Sequence, residues 1–115
     1  MALQIYHNPR CSKSRQALAI LSEGGAAPEV IEYLKTGLSV AQISELQEKS
    51  GLAVRDMMRS GEAIYKELHL KDETDEAALR AAIAANPILL ERPLVVDAAR
   101  AVICRPPQLA EDFLS

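Results

Sequence analysis

The chain has 115 residues, a length that predicts one domain with a single compact core. Hydrophobic residues make up 49% and charged residues 25%, as in ordinary soluble proteins, and the net charge of −3 argues against nucleic acid or an anionic membrane as the main partner. No apolar run approaches the ~20 residues of a membrane span, and no signal peptide is visible. We therefore expect a cytoplasmic protein with reduced thiols.

The first elements form a β-α-β unit. Leu3–Tyr6 is predicted as a strand that ends at a polar break. A helix is predicted from Ser12, with its apolar face ending at Gly24-Gly25. Val30–Tyr33 follows as a second strand because of its β-branched content. The length of this connection fits a parallel crossover.

The middle of the chain is predicted to be helical. Ser39 and Gln42 have the spacing of a capping box, in which each side chain satisfies a backbone N–H at a helix start. Four helical stretches are predicted in this region: from Ser39 to about Gly51, Val54–Arg59, Ala63–Leu68, and from near Thr74 to before Pro87.

Strands return near the end of the chain. Leu94–Val96 and Ala101–Cys104 are separated by so short a turn that they predict an antiparallel hairpin. Pro106-Pro107 then opens a last helix that extends to Phe113. The order β-α-β, helical block, β-β-α predicts an α/β fold with a thioredoxin-like mixed sheet. It corresponds to a single domain, residues 1–115, with a helical insertion at about residues 38–86.

Cys11 is the strongest candidate for a catalytic residue. It lies where the first strand leads into the first helix, so unpaired N–H groups of the first turn point towards its sulfur. Lowering a thiol pKa from ~8.5 to ~7 requires roughly 2 kcal/mol of thiolate stabilisation, more than the ~0.3–1 kcal/mol of a helix dipole. We expect Arg10, Lys13 and Arg15 to supply the rest, and to attract a small oxyanion.

Two familiar cysteine chemistries are excluded by spacing. A phosphatase loop of the C-x5-R type needs arginine where this chain has Ala17, and a C-x-x-C dithiol needs cysteine where it has Ser14. Cys104 lies in an apolar strand and is interpreted as a packing residue, so an external thiol such as glutathione is the expected resolving partner. The two histidines and two cysteines have no metal-ligand spacing, and we expect no metal and no bound cofactor.

Dispersed motifs along the whole chain resemble the glutaredoxin-coupled arsenate reductases. They are His7-Asn8-Pro9 before Cys11, Ser14-Arg15, the helical insertion, Arg92-Pro93, and Cys104-Arg105-Pro106. The resemblance implies a thioredoxin-like fold and a cysteine that attacks arsenate. It also implies that glutathione, as a co-substrate, and then glutaredoxin supply reducing equivalents, with release of arsenite.

The same resemblance assigns roles to individual residues. It makes Cys11 the nucleophile and gives arsenate three arginine ligands, Arg59, Arg92 and Arg105. It places Pro93 where such folds carry a cis proline facing the active cysteine. The active-site loop residues that would tune the thiolate are His7, Asn8, Ser14 and Arg15. Arg55, Arg80 and Arg100 have no motif support and are interpreted as surface charges.

Two alternative functions are compatible with this sequence. One is a monothiol, glutaredoxin-like thioltransferase acting on oxidised thiols, for which three oxyanion-binding arginines would be superfluous. The other is a non-enzymatic regulator, because a sibling branch of the same fold binds RNA polymerase and senses oxidation through C-x-x-C. Ser14 removes that redox switch but leaves a binding role open.

Overall fold

The computed structural model describes residues 3–114, and the termini of the predicted domain, residues 1, 2 and 115, lie outside the described residues. The strands and helices, in chain order, are β1 (Gln4–Tyr6), α1 (Ser12–Glu23), β2 (Glu29–Ile31), α2 (Tyr33–Thr36), α3 (Val40–Ser50), α4 (Ala63–Glu67), α5 (Glu76–Ala85), β3 (Leu94–Val96) and β4 (Ala101–Ile103). Short 3₁₀-helices cover Val54–Met57, Leu70–Asp72, Pro87–Leu89 and Pro107–Phe113.

The chain divides into two compact units. One unit comprises the described residues up to Thr36 together with those from Arg92 onward, and the other is Gly37–Glu91. The second unit covers the segment predicted as a helical insertion. The assignment of the whole chain to one domain stays a prediction.

The first unit contains a sheet that, within residues 3–114, has four strands in the order β2-β1-β3-β4. β1 pairs with β2 in parallel, whereas β1–β3 and β3–β4 are antiparallel. The parallel crossover and the antiparallel hairpin predicted from the sequence are therefore confirmed. The hydrophobic core of this unit is formed by Ile5, Ala17, Leu21, Val95, Cys104 and Ala110.

The register of the strands determines which loops are neighbours. Tyr6 lies opposite both Ile31 of β2 and Leu94 of β3, and Leu94 in turn lies opposite Ile103 of β4. The segments that follow β1, β2 and β4 and the segment that precedes β3 therefore meet at one end of the sheet. These segments carry Cys11 after β1, Glu32 after β2, Arg92 before β3 and Arg105 after β4.

The Gly37–Glu91 unit is built on helices α3 and α5, which pack against each other. The capping box is confirmed, since Ser39 Oγ accepts the Gln42 N–H at 3.0 Å and Gln42 Oε1 accepts the Ser39 N–H at 2.8 Å. Leu38 and Ile43, on either side of the cap, are buried. The local sequence thus fixes where this helix begins.

Several predicted boundaries are wrong. β2 ends at Ile31, and Tyr33 begins helix α2, because the Glu32 carbonyl accepts the N–H groups of Lys35 and Thr36. α5 begins at Glu76 rather than near Thr74, since Asp75 Oδ1 accepts the Ala77 N–H and caps the helix. The segments at 54–57 and 107–113 are 3₁₀-helices.

Candidate active site

The loop between β1 and α1 is held by hydrogen bonds to its own backbone groups. Asn8 Oδ1 accepts the Arg10 N–H at 3.0 Å, and the Asn8 carbonyl accepts the Cys11 N–H at 3.0 Å. The first of these is the side-chain turn that asparagine commonly forms with the N–H two residues later. Arg15 contributes as well, because its Nη1 donates to the Pro9 carbonyl at 2.9 Å. The loop therefore presents Cys11 at the first turn of α1, as the sequence predicts.

A buried polar network lies beneath this loop. His7 Nδ1 and Ser14 Oγ lie 2.6 Å apart and share a hydrogen bond, and the Asn8 N–H donates to the same oxygen at 3.1 Å. Burial lowers the pKa of His7 below its ordinary value; the negative charge of Glu32 acts to raise this pKa, and the positive charge of Arg15 acts to lower it further. The neutral form of His7 is therefore favoured, and in that form Nδ1 can accept the Ser14 hydroxyl proton.

The environment of Cys11 favours its thiolate form. Burial is the largest single influence and by itself would raise the pKa of the Cys11 thiol. Interactions with the backbone N–H of Ser14, the side chain of Arg92 and the backbone N–H of Lys13 outweigh it, so the pKa lies below its ordinary value. The lowered pKa makes Cys11 the reactive thiol of this unit.

The cation that acts on Cys11 is Arg92, which lies two residues before the start of β3. From the sequence we expect this role for Arg10, Lys13 and Arg15, whose side chains are exposed in the structure. Lys13 acts on the sulfur through its backbone N–H. A charge eighty-one positions away cannot be recognised from local spacing, whereas the antiparallel pairing of β1 and β3 brings it to Cys11.

Arg92 has the features of an anion receptor. Its residue is only 9% exposed, and its Nε and Nη1 are buried without a hydrogen-bond partner among the described residues. Buried N–H groups of a guanidinium are normally paired, so these two donors indicate a place where oxygen atoms of a ligand would bind. The Arg92–Pro93 peptide bond is cis, as is Arg105–Pro106.

Arg105 contacts the same segment. Its Nη1 donates to the Arg92 carbonyl at 3.0 Å, and the residue is exposed. The end of β4 is also joined to this segment, because the Cys104 N–H donates to the Pro93 carbonyl at 2.8 Å. The structure therefore brings together Cys11, Arg92, Pro93 and Arg105.

Arg59 belongs to the Gly37–Glu91 unit and is held there by two carboxylates. Its Nε lies 3.0 Å from Glu62 Oε2 and its Nη1 lies 3.1 Å from Glu91 Oε1. All three side chains are about three-quarters buried. The spacing of three residues between Arg59 and Glu62 is readable from the sequence, but nothing local indicates Glu91.

The sequence predicts that Cys104 is a packing residue and that Arg55 is a surface charge, and the structure agrees with the first prediction but not with the second. Cys104 is fully buried, and burial together with the charge of Asp112 raises the pKa of its thiol to about 12, so its interpretation as a packing residue is confirmed. Arg55 is not a simple surface charge, because its guanidinium donates to Tyr65 Oη at 2.6 Å and to the carbonyls of Leu70 and Glu73. That arginine cross-links three segments of its unit.

The arrangement of the first unit determines what chemistry it can support. A thiolate at a helix start lies beside a buried guanidinium whose remaining donors face no protein acceptor in residues 3–114. Such a pair can bind a tetrahedral oxyanion and present a nucleophilic sulfur to its central atom.

No group of three metal-ligating His, Cys, Asp or Glu residues occurs in the described chain. None of the described helices is long and apolar enough to span a bilayer.

Comparison with known proteins gives similarity over nearly the whole chain. A sequence model of the ArsC family matches residues 6–113. A protein of Neisseria meningitidis serogroup A named arsenate reductase is 46% identical over 114 residues, with 97% of each chain covered. The protein YfgD of Escherichia coli K12, described as uncharacterized, is 47% identical over 92% of this chain and 91% of its own.

Among solved structures, an arsenate reductase from Vibrio cholerae superimposes with a TM-score of 0.94 at 48% identity, over 97% of each chain. The similarity extends over the sheet, the helical unit and the loops between them. The predicted thioredoxin-like α/β fold is therefore confirmed.

Proposed function

Because the chain belongs to the ArsC family, we propose that it is an arsenate reductase in which Cys11 is the nucleophile. The observation that carries this proposal is the pairing of Cys11 with Arg92, a lowered thiol pKa next to buried guanidinium donors. The relatives named arsenate reductase support the substrate, since they match over 97% of the chain.

The first step is attack of the Cys11 thiolate on arsenic. A sulfur–arsenic bond forms, and one arsenate oxygen leaves as water after it has taken up protons. Arsenate and thiolate are both anions at neutral pH, so their approach is opposed by like-charge repulsion. The Arg92 guanidinium offsets that repulsion and can hold two arsenate oxygens in a bidentate manner.

Reduction requires two electrons from outside thiols. Overall, one arsenic acid and two thiols give one arsenous acid, one disulfide and one water, so atoms and electrons balance. Cys104 is a poor source, because burial keeps its thiol protonated and inaccessible. We infer that glutathione is the co-substrate and that glutaredoxin regenerates the thiol, in a reducing compartment such as the cytoplasm.

The other residues of the proposed site have supporting roles. Arg105 binds arsenate and positions Arg92 through its hydrogen bond to the Arg92 carbonyl. His7, Asn8 and Ser14 hold the loop that presents Cys11. Arg15 fastens the same loop through the Pro9 carbonyl. Arg59 is proposed as a further arsenate ligand only because the resemblance to the family implies that role.

A coupled assay tests the proposal. Purified protein is mixed with arsenate, glutathione, glutaredoxin, glutathione reductase and NADPH, and NADPH oxidation is followed with Cys11→Ser in parallel. We expect arsenate-dependent turnover that falls to background in the variant. Turnover that does not depend on arsenate, or equal rates in the two proteins, would contradict the proposal.

The same assay separates the alternative functions. A thioltransferase would oxidise NADPH with a glutathionylated substrate in the absence of arsenate. Arg92→Met provides the sharper distinction, because it removes oxyanion binding, which a neutral disulfide does not need. We expect that variant to lose arsenate turnover while it remains folded by circular dichroism.

A further inference from the structure

A groove lies on the first unit beside the loop that presents Cys11. It has a volume of about 260 Å³ and is lined by residues 7–10 and by Glu32, Leu34 and Lys35. The two lining segments follow β1 and β2, whose parallel pairing places their ends side by side. The backbone holds this junction together, since the His7 N–H donates to the Ile31 carbonyl at 2.9 Å.

The groove carries a distinctive set of charges. Arg10 and Lys35 contribute two positive groups, and Glu32 contributes one negative group. Glu32 Oε1 lies 3.4 Å from Lys35 Nζ, but the Lys35 side chain is 78% exposed. Exposed ion pairs contribute little free energy, so charged groups of a ligand can replace this pair at small cost. Pro9 and Leu34 give the groove an apolar wall.

We propose that this groove binds glutathione, the thiol co-substrate, and orients its sulfur towards the Cys11 adduct. Glutathione has two carboxylates and one ammonium group, which match two cations and one carboxylate in the groove. This inference rests on the proposed function, because it concerns the thiol that the reaction consumes.

The dimensions of the groove agree with this occupant. A tripeptide spans at most roughly 10 Å when extended, and a cavity of this volume accommodates a molecule of that size. Arg10 is directly bonded to Cys11, so a thiol bound along the groove lies within a few residues' length of the reacting sulfur. The terminal carboxylates bind Arg10 and Lys35, and the ammonium group binds Glu32.

The first test measures binding without chemistry. Isotope-labelled Cys11→Ser protein is titrated with S-methylglutathione, which cannot react, and backbone amide shifts are recorded by NMR. We expect shifts concentrated at residues 7–10 and 32–35. Inorganic phosphate serves as a second probe, and it should shift Arg92 and the start of α1 instead. Shifts from S-methylglutathione that occur elsewhere, or a groove that responds equally to phosphate, overturn the proposal.

The second test uses charge variants with a matched control. Lys35→Gln and Arg10→Gln should each weaken S-methylglutathione binding by about two- to fivefold, and Lys35→Glu should weaken it further. Lys66→Gln makes the same chemical change at an exposed lysine of the other unit and should have no effect. In the coupled assay the KM for glutathione should rise more than the KM for arsenate in the groove variants.

These measurements distinguish failure of this inference from failure of the proposed function. Binding of S-methylglutathione in the groove without arsenate turnover would support this inference and contradict the proposed reductase activity. Arsenate turnover with an unchanged KM for glutathione in Lys35→Glu, Lys35→Gln and Arg10→Gln would contradict glutathione binding in the groove and support the proposed reductase activity.

Discussion

The two cysteines of the first unit have thiol pKa values that are shifted in opposite directions. Cys104 directly follows β4 and Cys11 lies at the start of α1, and the pKa of Cys11 is lowered whereas that of Cys104 is raised to about 12. Burial opposes ionisation at both sulfurs. At Cys11 the N–H groups of Lys13 and Ser14 and the side chain of Arg92 outweigh burial, so the pKa falls. At Cys104 the Val95 N–H and the charge of Arg100 also favour the thiolate, but burial and the charge of Asp112 outweigh them.

Alkylation gives the largest expected difference between the two thiols. At pH 7 a thiol with a pKa of about 12 is ionised to about 10⁻⁵, and one below 9.0 to more than about 10⁻². Cys11 should therefore react with iodoacetamide at least ~10³-fold faster than Cys104, and burial of Cys104 increases the ratio. Mass spectrometry of native protein measures both rates. Similar rates would show that the environments do not differ as described.

Arg92→Met tests the source of the difference. Loss of a charge-assisted hydrogen bond should slow alkylation of Cys11 at pH 7 by roughly tenfold. Replacing a buried arginine that lacks partners for two of its nitrogens in residues 3–114 should not lower the free energy of unfolding.

Arg100→Met is the matched control, since Arg100 pairs with Asp97 and stacks over Phe113 at 4.1 Å. That variant should lose stability and keep Cys11 reactivity. The reverse pattern would show that Arg92 serves the fold rather than the thiolate.

Ser14→Ala and Cys104→Ser compare a buried polar network with a buried apolar contact. Ser14→Ala leaves the His7 ring nitrogen and the Asn8 N–H without their shared partner, which should cost about 1–3 kcal/mol in urea unfolding. Cys104→Ser can keep the contact with the Val102 carbonyl, 3.6 Å from the sulfur, and should cost about 1 kcal/mol. A larger loss in Cys104→Ser would mean that the core, and not the loop, depends on its polar groups.

The pH dependence of stability gives the smallest expected effect. The pKa of His7 is lower in the folded protein than its ordinary 6.5, so the unfolded chain binds more protons just below that pH. This contribution to stability is fully present above pH 6.5 and is lost as the pH falls towards the folded value. His7→Gln should reduce the slope of unfolding free energy against pH in that window. An unchanged slope would assign the dependence to other groups.

Most of the fold could be predicted because its signals are local. The crossover, the capping box at Ser39 and the hairpin depend on short-range spacing. The β-propensity of residues 30–33 predicts Tyr33 in β2, but that propensity reflects packing on a sheet, and here the Glu32 carbonyl starts a turn of helix. The hydrogen bonds of the Glu32 carbonyl determine that Tyr33 is helical, and the amino-acid composition of the segment does not reveal those bonds.

The candidate site was less predictable from local charge. Local charge predicts that the three cations next to Cys11 in the chain stabilise its thiolate, but Arg92 is the side chain that acts on the sulfur. The resemblance to a family supplied Arg92 where electrostatic reasoning on neighbouring residues could not. Arg55 shows the converse, because no motif marks it and only the folded structure reveals its three hydrogen bonds.

The hydrogen bond from Arg105 has a consequence for how this site can vary during evolution. It ends on the backbone carbonyl of residue 92, a group that every amino acid possesses. Position 105 is therefore constrained by the path of the chain and not by the identity of its neighbour. A relative that has replaced the arginine at position 92 should still keep arginine at 105. Relatives that keep arginine at 92 but have lost it at 105 should be rarer.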